Sequence, residues 1–164
     1  MISKQINNLV KQITKILAND AEIRKLLFFN NVAPPLEDIE PDANEIIDKG
    51  YIKTRPVHFQ DNTETASFIS VNFDNGAIDT EVHVDAIKVA VAASVDNWLT
   101  PEGEVRALLI GDRIEALLDH QYIGQSTGKL ILTHIQEVYW NAFMTGYVYI
   151  FQIVEGRDIN ALNI

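Results

Sequence analysis

Residues 81–99 read EVHVDAIKVAVAASVDNWL. The stretch holds no Gly or Pro and is dense in β-branched and small residues, which is the pattern of a strand. As one strand it would reach more than about 50 Å at roughly 3.3 Å per residue, whereas a usual strand has about 5–6 residues. It also carries an irregularity. Val82 and Val84 put apolar groups on even positions, while Ile87, Val89, Val91, Ala93 and Val95 put them on odd ones. Side chains alternate strictly along a strand, so the pattern changes face near Asp85 and Ala86. Either a bulge sits there, or the strand meets its own helices at one end and a different surface at the other.

The neighbouring segments supply a sheet for this strand. YIKTRPVHF (51–59) is extended but contains Pro56, which confines it to an edge or a bend. TASFISVNF (65–73) alternates, with Ser67, Ile69, Val71 and Phe73 on one face, and DNG (74–76) signals a turn. After the long strand, TPEGEVRALLIGDRIEALLDH (100–120) reads as a helix capped by Thr100, with Pro101 in its first turn. Val105, Leu108, Leu109, Ile114, Leu117 and Leu118 form its expected buried stripe. KLILTHIQEVYW (129–140) and YVYIFQIVEG (147–156), joined by NAFMTG, read as an antiparallel hairpin. Its second arm is apolar on both faces and therefore central in the sheet.

The N-terminal third is helical. Ile2, Ile6, Leu9, Val10, Ile13, Ile16 and Leu17 recur at three- and four-residue steps. Asp20 is placed to cap a second helix that buries Ile23, Leu26 and Leu27. A Pro-rich loop, NNVAPPLEDIEPDAN (30–44), follows, and Asp42 can cap a short helix that stops at Gly50. The expected order is ααα-βββ-α-ββ. That is an α+β fold in which an antiparallel (mixed) β-sheet with a long strand packs against one amphipathic helix and N-terminal helices. A chain of 164 residues suits a single domain over 1–164, with helices and Pro-rich loop in 1–50 and the sheet-plus-helix core in 51–164.

Composition excludes several functions. Twenty-three acidic residues against 13 basic ones give a net charge of −10, which argues against tight nucleic-acid binding, since that rests on Lys and Arg neutralising phosphates. Cysteine is absent, so there are no disulfides, thiolate metal sites or Cys nucleophiles. No run approaches the ~20 apolar residues of a membrane helix, and Lys, Asn and Gln interrupt the N-terminal apolar positions, unlike a signal peptide. The expected compartment is a cytoplasm or an assembly built there.

Catalytic and metal-binding patterns are missing too. His58, His83, His120 and His134 lack ligand spacing, and only HVD places His83 and Asp85 on one strand face. A solvated or interface-facing pair outweighs a metal site there. Asp119 and His120 sit where a helix C-terminus favours an imidazolium. GQSTGK (124–129) follows a helix and precedes a strand, the reverse of a P-loop. Trp98 and Trp140 read as anchors at a core or interface edge. The expectation is a protein that is not an enzyme and takes no cofactor and no metal.

An over-long apolar strand edge invites aggregation unless it is paired. Pairing with another copy, head to tail, closes a ring when the rotation permits. The expected contact residues are Glu81, His83, Asp85, Ile87, Trp98, Tyr139 and Trp140, drawn from the strand 81–95 and the hairpin 130–154.

The two N-terminal helices, the Pro-rich loop, SFISVNFDNG, the long VHVDAIKVAVAASVDNWL, one amphipathic helix and a final hairpin together resemble the tail terminator proteins of tailed bacteriophages. The resemblance covers nearly the whole chain and rests on element order. It implies a homo-oligomeric ring, a hexamer, in the virion at the head–tail junction, assembled in the host cytoplasm. Its implied partners are other copies of itself, the tail tube protein and a neck or head-completion protein. DNA would pass through the ring without tight binding, and no membrane is involved. The alternatives are another neck, tail-tube or baseplate component of a phage or contractile injection system, or a small soluble enzyme or ligand-binding domain.

Overall fold

The computed structural model describes residues 2–28, 42–58, 67–79, 82–124 and 128–155, with side chains except at 2, 3, 74–79, 82–84 and 155. Three helices come first: α1 (Ile2–Asn19), α2 (Ala21–Phe28) and α3 (Ala43–Asp48). Strands β1 (Ile52–Lys53), β2 (Ser67–Asp79) and β3 (Val82–Ser94) follow, then α4 (Arg106–Leu118), β4 (Gly128–Asn141) and β5 (Met144–Glu155). The element order and the α+β class agree with the sequence reading.

Local chemistry explains the helix ends. The Asp20 carboxylate accepts from the Ile23 amide at 2.9 Å and opens α2. Asp42 accepts from the Asn44 amide at 3.2 Å and opens α3. Gly50, at φ 75°, takes the left-handed conformation that ends the α3 turn, which costs an L side chain and not glycine.

One five-stranded sheet runs in the order β1-β2-β3-β5-β4. β1 joins β2 in parallel, and all other pairs are antiparallel. Odd positions of β2, β3 and β5 face the helices. Ile69 pairs with Val91 and Val71 with Val89, while Ile87 pairs with Phe151 and Val89 with Tyr149. These side chains meet Leu9, Ile13 and Leu17 of α1, Ile23 and Leu27 of α2, and Ile110, Ile114 and Leu118 of α4 in one core. The opposite face carries a small cluster of Phe68, Ala92 and Met144, with Val57 and Trp140 packed against it.

Several expectations are corrected here. The long strand ends at Ser94 and not at Leu99, because a 3-10 turn over Val95–Asn97 follows it, where the Asn97 amide donates to the Ser94 hydroxyl at 2.8 Å. β3 is also central. β2 flanks it from Val82 to Ala93 and β5 from Ala86 to Ser94, so the chain itself supplies the partners that the sequence reading assigned to another copy. The expected turn at 74–76 is strand, with Gly76 paired to Val84; the link over 80–81 lies outside the described residues. Pairing is unbroken from Val84 to Ala93, so no face change occurs near Asp85. A change of that kind occurs in β4 instead, where an irregularity at Thr133 moves the helix-facing positions from Leu130 and Leu132 to Ile135, Glu137 and Tyr139.

The last helix is shifted as well. Residues 99–105 form a tight turn closed by a bridge between Leu99 and Val105, in which the Thr100 hydroxyl accepts from the Glu104 amide at 3.2 Å. α4 therefore starts at Arg106, and its buried positions are Arg106, Ala107, Ile110, Gly111, Ile114 and Leu118. Leu108 is exposed, and Leu109 and Leu117 are half-buried. The helix turns its small residues, Ala107 and Gly111, toward the sheet so that it can approach closely.

Candidate functional site

The sheet order leaves β4 as an outer strand. Its first residues are covered, because the His120 amide donates to the Leu130 carbonyl at 2.8 Å and the Leu130 amide to the Gln121 carbonyl at 3.0 Å. The Leu132 amide donates to the Asp119 carboxylate at 2.7 Å. Asp119 thus serves as a strand tether at the end of α4, and His120 adopts φ 59° with its imidazole 3.7 Å from Asp119 Oδ2. From Thr133 to Trp140, no strand pairs with the outer side of β4 among the described residues. An edge of that length is a template for another strand.

The exposed part carries large apolar groups among its polar ones. On the helix-facing side, Ile135 is 46% exposed and Tyr139 75%; Phe143, in the hairpin turn, is 67% exposed. A surface groove of about 630 Å³ runs beside Tyr139, with Val95, Trp98 and Leu99 on its far wall and the carboxylates Asp96 and Glu137 on its rim. Trp98 stacks on Tyr147 with ring centroids 6.1 Å apart and an interplanar angle of 27°. The Tyr139 hydroxyl donates to Glu137 at 3.1 Å, and this bond, followed by the nearby charge, raises the phenol above its ordinary value.

Arg106 holds the far wall in place. Only 2% exposed, it donates from Nε to the Asn97 carbonyl at 3.1 Å and from Nη1 to the Leu26 carbonyl at 2.8 Å. Burial lowers its pKa, and the nearby Glu102 carboxylate opposes that shift. The guanidinium fork thereby links the end of α2, the 3-10 turn and the start of α4, which a single-point cation does not do.

The residues expected at a contact are divided by the fold. Trp98 and Tyr139 share the groove. Trp140 is half-buried on the opposite face, against the Phe68 cluster. Asp85 is exposed and pairs with Asn75 at the far end of β3. Ile87 is fully buried between Phe73 and Phe151, so it belongs to the chain's own core and is withdrawn from any surface contact. Glu81 and the His83 side chain lie outside the described residues, as do residues 30–41 and the side chains of 74–79. Val95, Ile135, Glu137 and Phe143 fall within the expected ranges 81–95 and 130–154 without being singled out there, and Leu99 lies outside both. The mixed polarity of THIQEVYWN, against the fully apolar second arm, was the signal that marked β4 as an edge.

Among the described residues no group of three or more His, Asp or Glu is gathered as a metal site. None of the described helices is long and apolar enough to cross a membrane.

A family model, YomW, matches residues 20–153, which is most of the chain. The chain belongs to the YomW family. That family carries the name of a Bacillus prophage protein, and the chain is accordingly phage-associated. The YomW match begins at Asp20, the cap of α2, and ends within β5, so it contains β1 to β4, most of β5 and α4, with α1 before it. No curated protein and no solved structure matches the chain significantly.

Proposed function

We propose that this YomW-family protein is a structural virion protein. It assembles as a homo-oligomeric ring, six-fold, at the head-proximal end of a phage tail, where it terminates the tail tube and joins it to the neck. The observation that carries this reading is the edge of β4 from Thr133 to Trp140, which no strand covers among the described residues, with Ile135 and Tyr139 exposed along it. A stable monomer covers or charges such an edge densely. Here one carboxylate, Glu137, interrupts an otherwise uncharged strand segment. An edge that joins to a different edge of the next copy generates a ring when the rotation closes.

Membership in a phage-associated family and the element order shared with tail terminators support the location. The charge of −10 supports a ring that DNA traverses, because repeated acidity repels phosphate and the few Lys and Arg give it little to hold.

Deleting the gene in the phage tests the role. The expected result is filled heads and separate tail tubes of irregular length that do not join, restored by supplying the protein in trans. Normal joined particles, or the loss of tubes altogether, would remove the protein from the head–tail junction. Loss of tubes would place it in the tube or the baseplate.

A further inference from the structure

We infer that the outer face of α1 is a contact surface for the phosphate backbone of duplex nucleic acid. One copy carries the whole surface, so a ring is not required for it.

The face is cationic in an acidic chain. Residues 1–19 hold Lys4, Lys11 and Lys15 and no carboxylate, while the rest of the chain holds all 23 acids and ten bases. Lys4, Asn8, Lys11 and Lys15 recur at the four- and three-residue steps that share one side of a helix, and all four are exposed. The stripe runs about 16 Å at roughly 1.5 Å per residue. Between Lys4 and Lys11 lies a shallow hollow of about 490 Å³, lined by these two lysines with Gln5, Asn7 and Asn8. Its lining offers ammonium and amide donors and no carboxylate.

Elsewhere the basic groups are used within the fold. Lys49 pairs with Glu45, and Arg113 pairs with Asp20 and Glu22. Arg24 and Arg106 donate to carbonyls, and Lys53 and Lys129 lie over the rings of Phe68 and Tyr122. Lys4, Lys11 and Lys15 have no such partner among the described residues.

Local stability does not account for the pattern. The positive end of a helix favours Asp or Glu in the first turn, and α1 has neither there; Lys4 occupies that turn instead. Lys11 and Lys15 are like charges four residues apart, which destabilises a helix where Glu with Lys would support it. Both penalties are relieved when a polyanion lies along the face.

The chemistry of the face selects among polyanions. Protein interfaces centre on apolar and aromatic groups and are poor in Lys. None of the large exposed apolar side chains is on α1. Interfaces with nucleic acid are more polar and more positive, and Lys, Asn and Gln hold phosphates without reading sequence. Residues 1–19 contain no aromatic side chain on which an unpaired base could stack, which favours a duplex. Three lysines give a weak, salt-sensitive hold that suits DNA in passage, and the apolar β4 edge stays free for protein contact.

The test titrates full-length protein against a fluorescent DNA duplex of mixed sequence, read by anisotropy across a salt series. Three phosphate contacts predict an affinity that falls about 40-fold between roughly 50 and 200 mM salt. Lys4→Gln, Lys11→Gln and Lys15→Gln should each reduce the slope by about one third, and the triple variant should lose binding. Lys25→Gln, at an exposed lysine on α2, should leave binding unchanged. The triple variant removes a like-charge repulsion, so its urea midpoint should be no lower than that of the parent, which separates lost binding from lost folding. Poly-glutamate and single-stranded DNA are titrated in parallel. No duplex binding at low salt, or binding that survives the triple substitution, would overturn the assignment. So would lysine-dependent binding that is tighter for poly-glutamate or for the single strand than for the duplex. Sedimentation of the same samples tests the ring separately, because duplex binding by a monomer sinks the ring and keeps the α1 surface.

Discussion

Gly111 of α4 lies directly against the ring of Tyr149 in β5, so closely that a Cβ built on Gly111 would sit 1.6 Å from the Tyr149 hydroxyl oxygen. Glycine in a helix interior costs about 1 kcal/mol relative to alanine. Propensity alone therefore makes Gly111→Ala stabilising. The geometry reverses the sign, because the added methyl overlaps a fully packed aromatic ring, and overpacking costs about 1–3 kcal/mol or more. Gly111→Ala should lower the urea midpoint, and a Tyr149→Leu change in the same chain should recover part of the loss. A higher midpoint for Gly111→Ala would show that Tyr149 does not hold α4 at this distance.

The same contact buries the phenol. Burial first, with the Asp112 charge adding, pushes Tyr149 up to about 12. A folded pKa above the ordinary 10.0 means that the contribution is present below that value and lost as pH rises between 10 and about 12. Ultraviolet titration should show one of the five tyrosines ionising last, and that signal should move down toward the others on urea unfolding.

The two faces of α4 predict opposite outcomes for similar substitutions. Ile114 is fully buried and Leu108 is 39% exposed. Ile114→Ala should cost about 2–5 kcal/mol through lost transfer energy and a residual cavity. Leu108→Ala should stay within about 0.5 kcal/mol, as surface changes do. Equal effects in chemical denaturation would mean that the helix is rotated from the face described.

Asp20 joins two helices and makes stability pH-dependent. Its carboxylate meets Arg113 Nη2 at 2.5 Å as well as the Ile23 amide. Burial works to raise its pKa, but the Arg113 hydrogen bond, the Ile23 amide and the Arg113 charge together outweigh it, leaving the group below 3.8. A depressed pKa contributes stability that is complete above 3.8 and is lost as pH falls through the lower folded value. Asn also caps helices well, so Asp20→Asn isolates the charge. Because Arg113 is partly solvent-screened, the variant should be only about 0.5–1 kcal/mol less stable at neutral pH. The gap between the two proteins should narrow as pH falls below 3.8. A gap that persists in acid would assign the effect to geometry and not to charge.

Arg106 should resist conservative replacement. Arg106→Lys keeps the charge but cannot span the Asn97 and Leu26 carbonyls, so it should lose about 1.5–3 kcal/mol. In a Trp140→Phe background, where Trp98 is the remaining tryptophan, its emission should shift to the red as the groove wall loosens. An unchanged spectrum would mean that the wall does not depend on Arg106.

The sequence by itself determined the elements and their order. Asp20, Asp42 and Gly50 mark helix ends through hydrogen bonds made within a few residues, and that chemistry is visible in one dimension. The same holds for the alternation in β2, for Pro56 keeping β1 short, and for the two-sided apolar character that puts β5 inside the sheet. Tertiary structure decided what alternation cannot carry, which is who pairs with whom. The apolar run 82–95 looked like an edge seeking another copy because a central strand and an unpaired edge can share one composition; only the flanking of β3 by β2 and β5 separates them. The face of α4 was decided in the same way. Leu108 is as apolar as Leu118, and the choice between them came from Ala107 and Gly111 allowing close approach to Tyr149. The exposed apolar surface lies where the topology puts it, not at Ile87 but on the β4 edge at Ile135 and Tyr139. Its exposure depends on where Asp119 and Gln121 stop covering β4, a distance in space that the chain order does not encode.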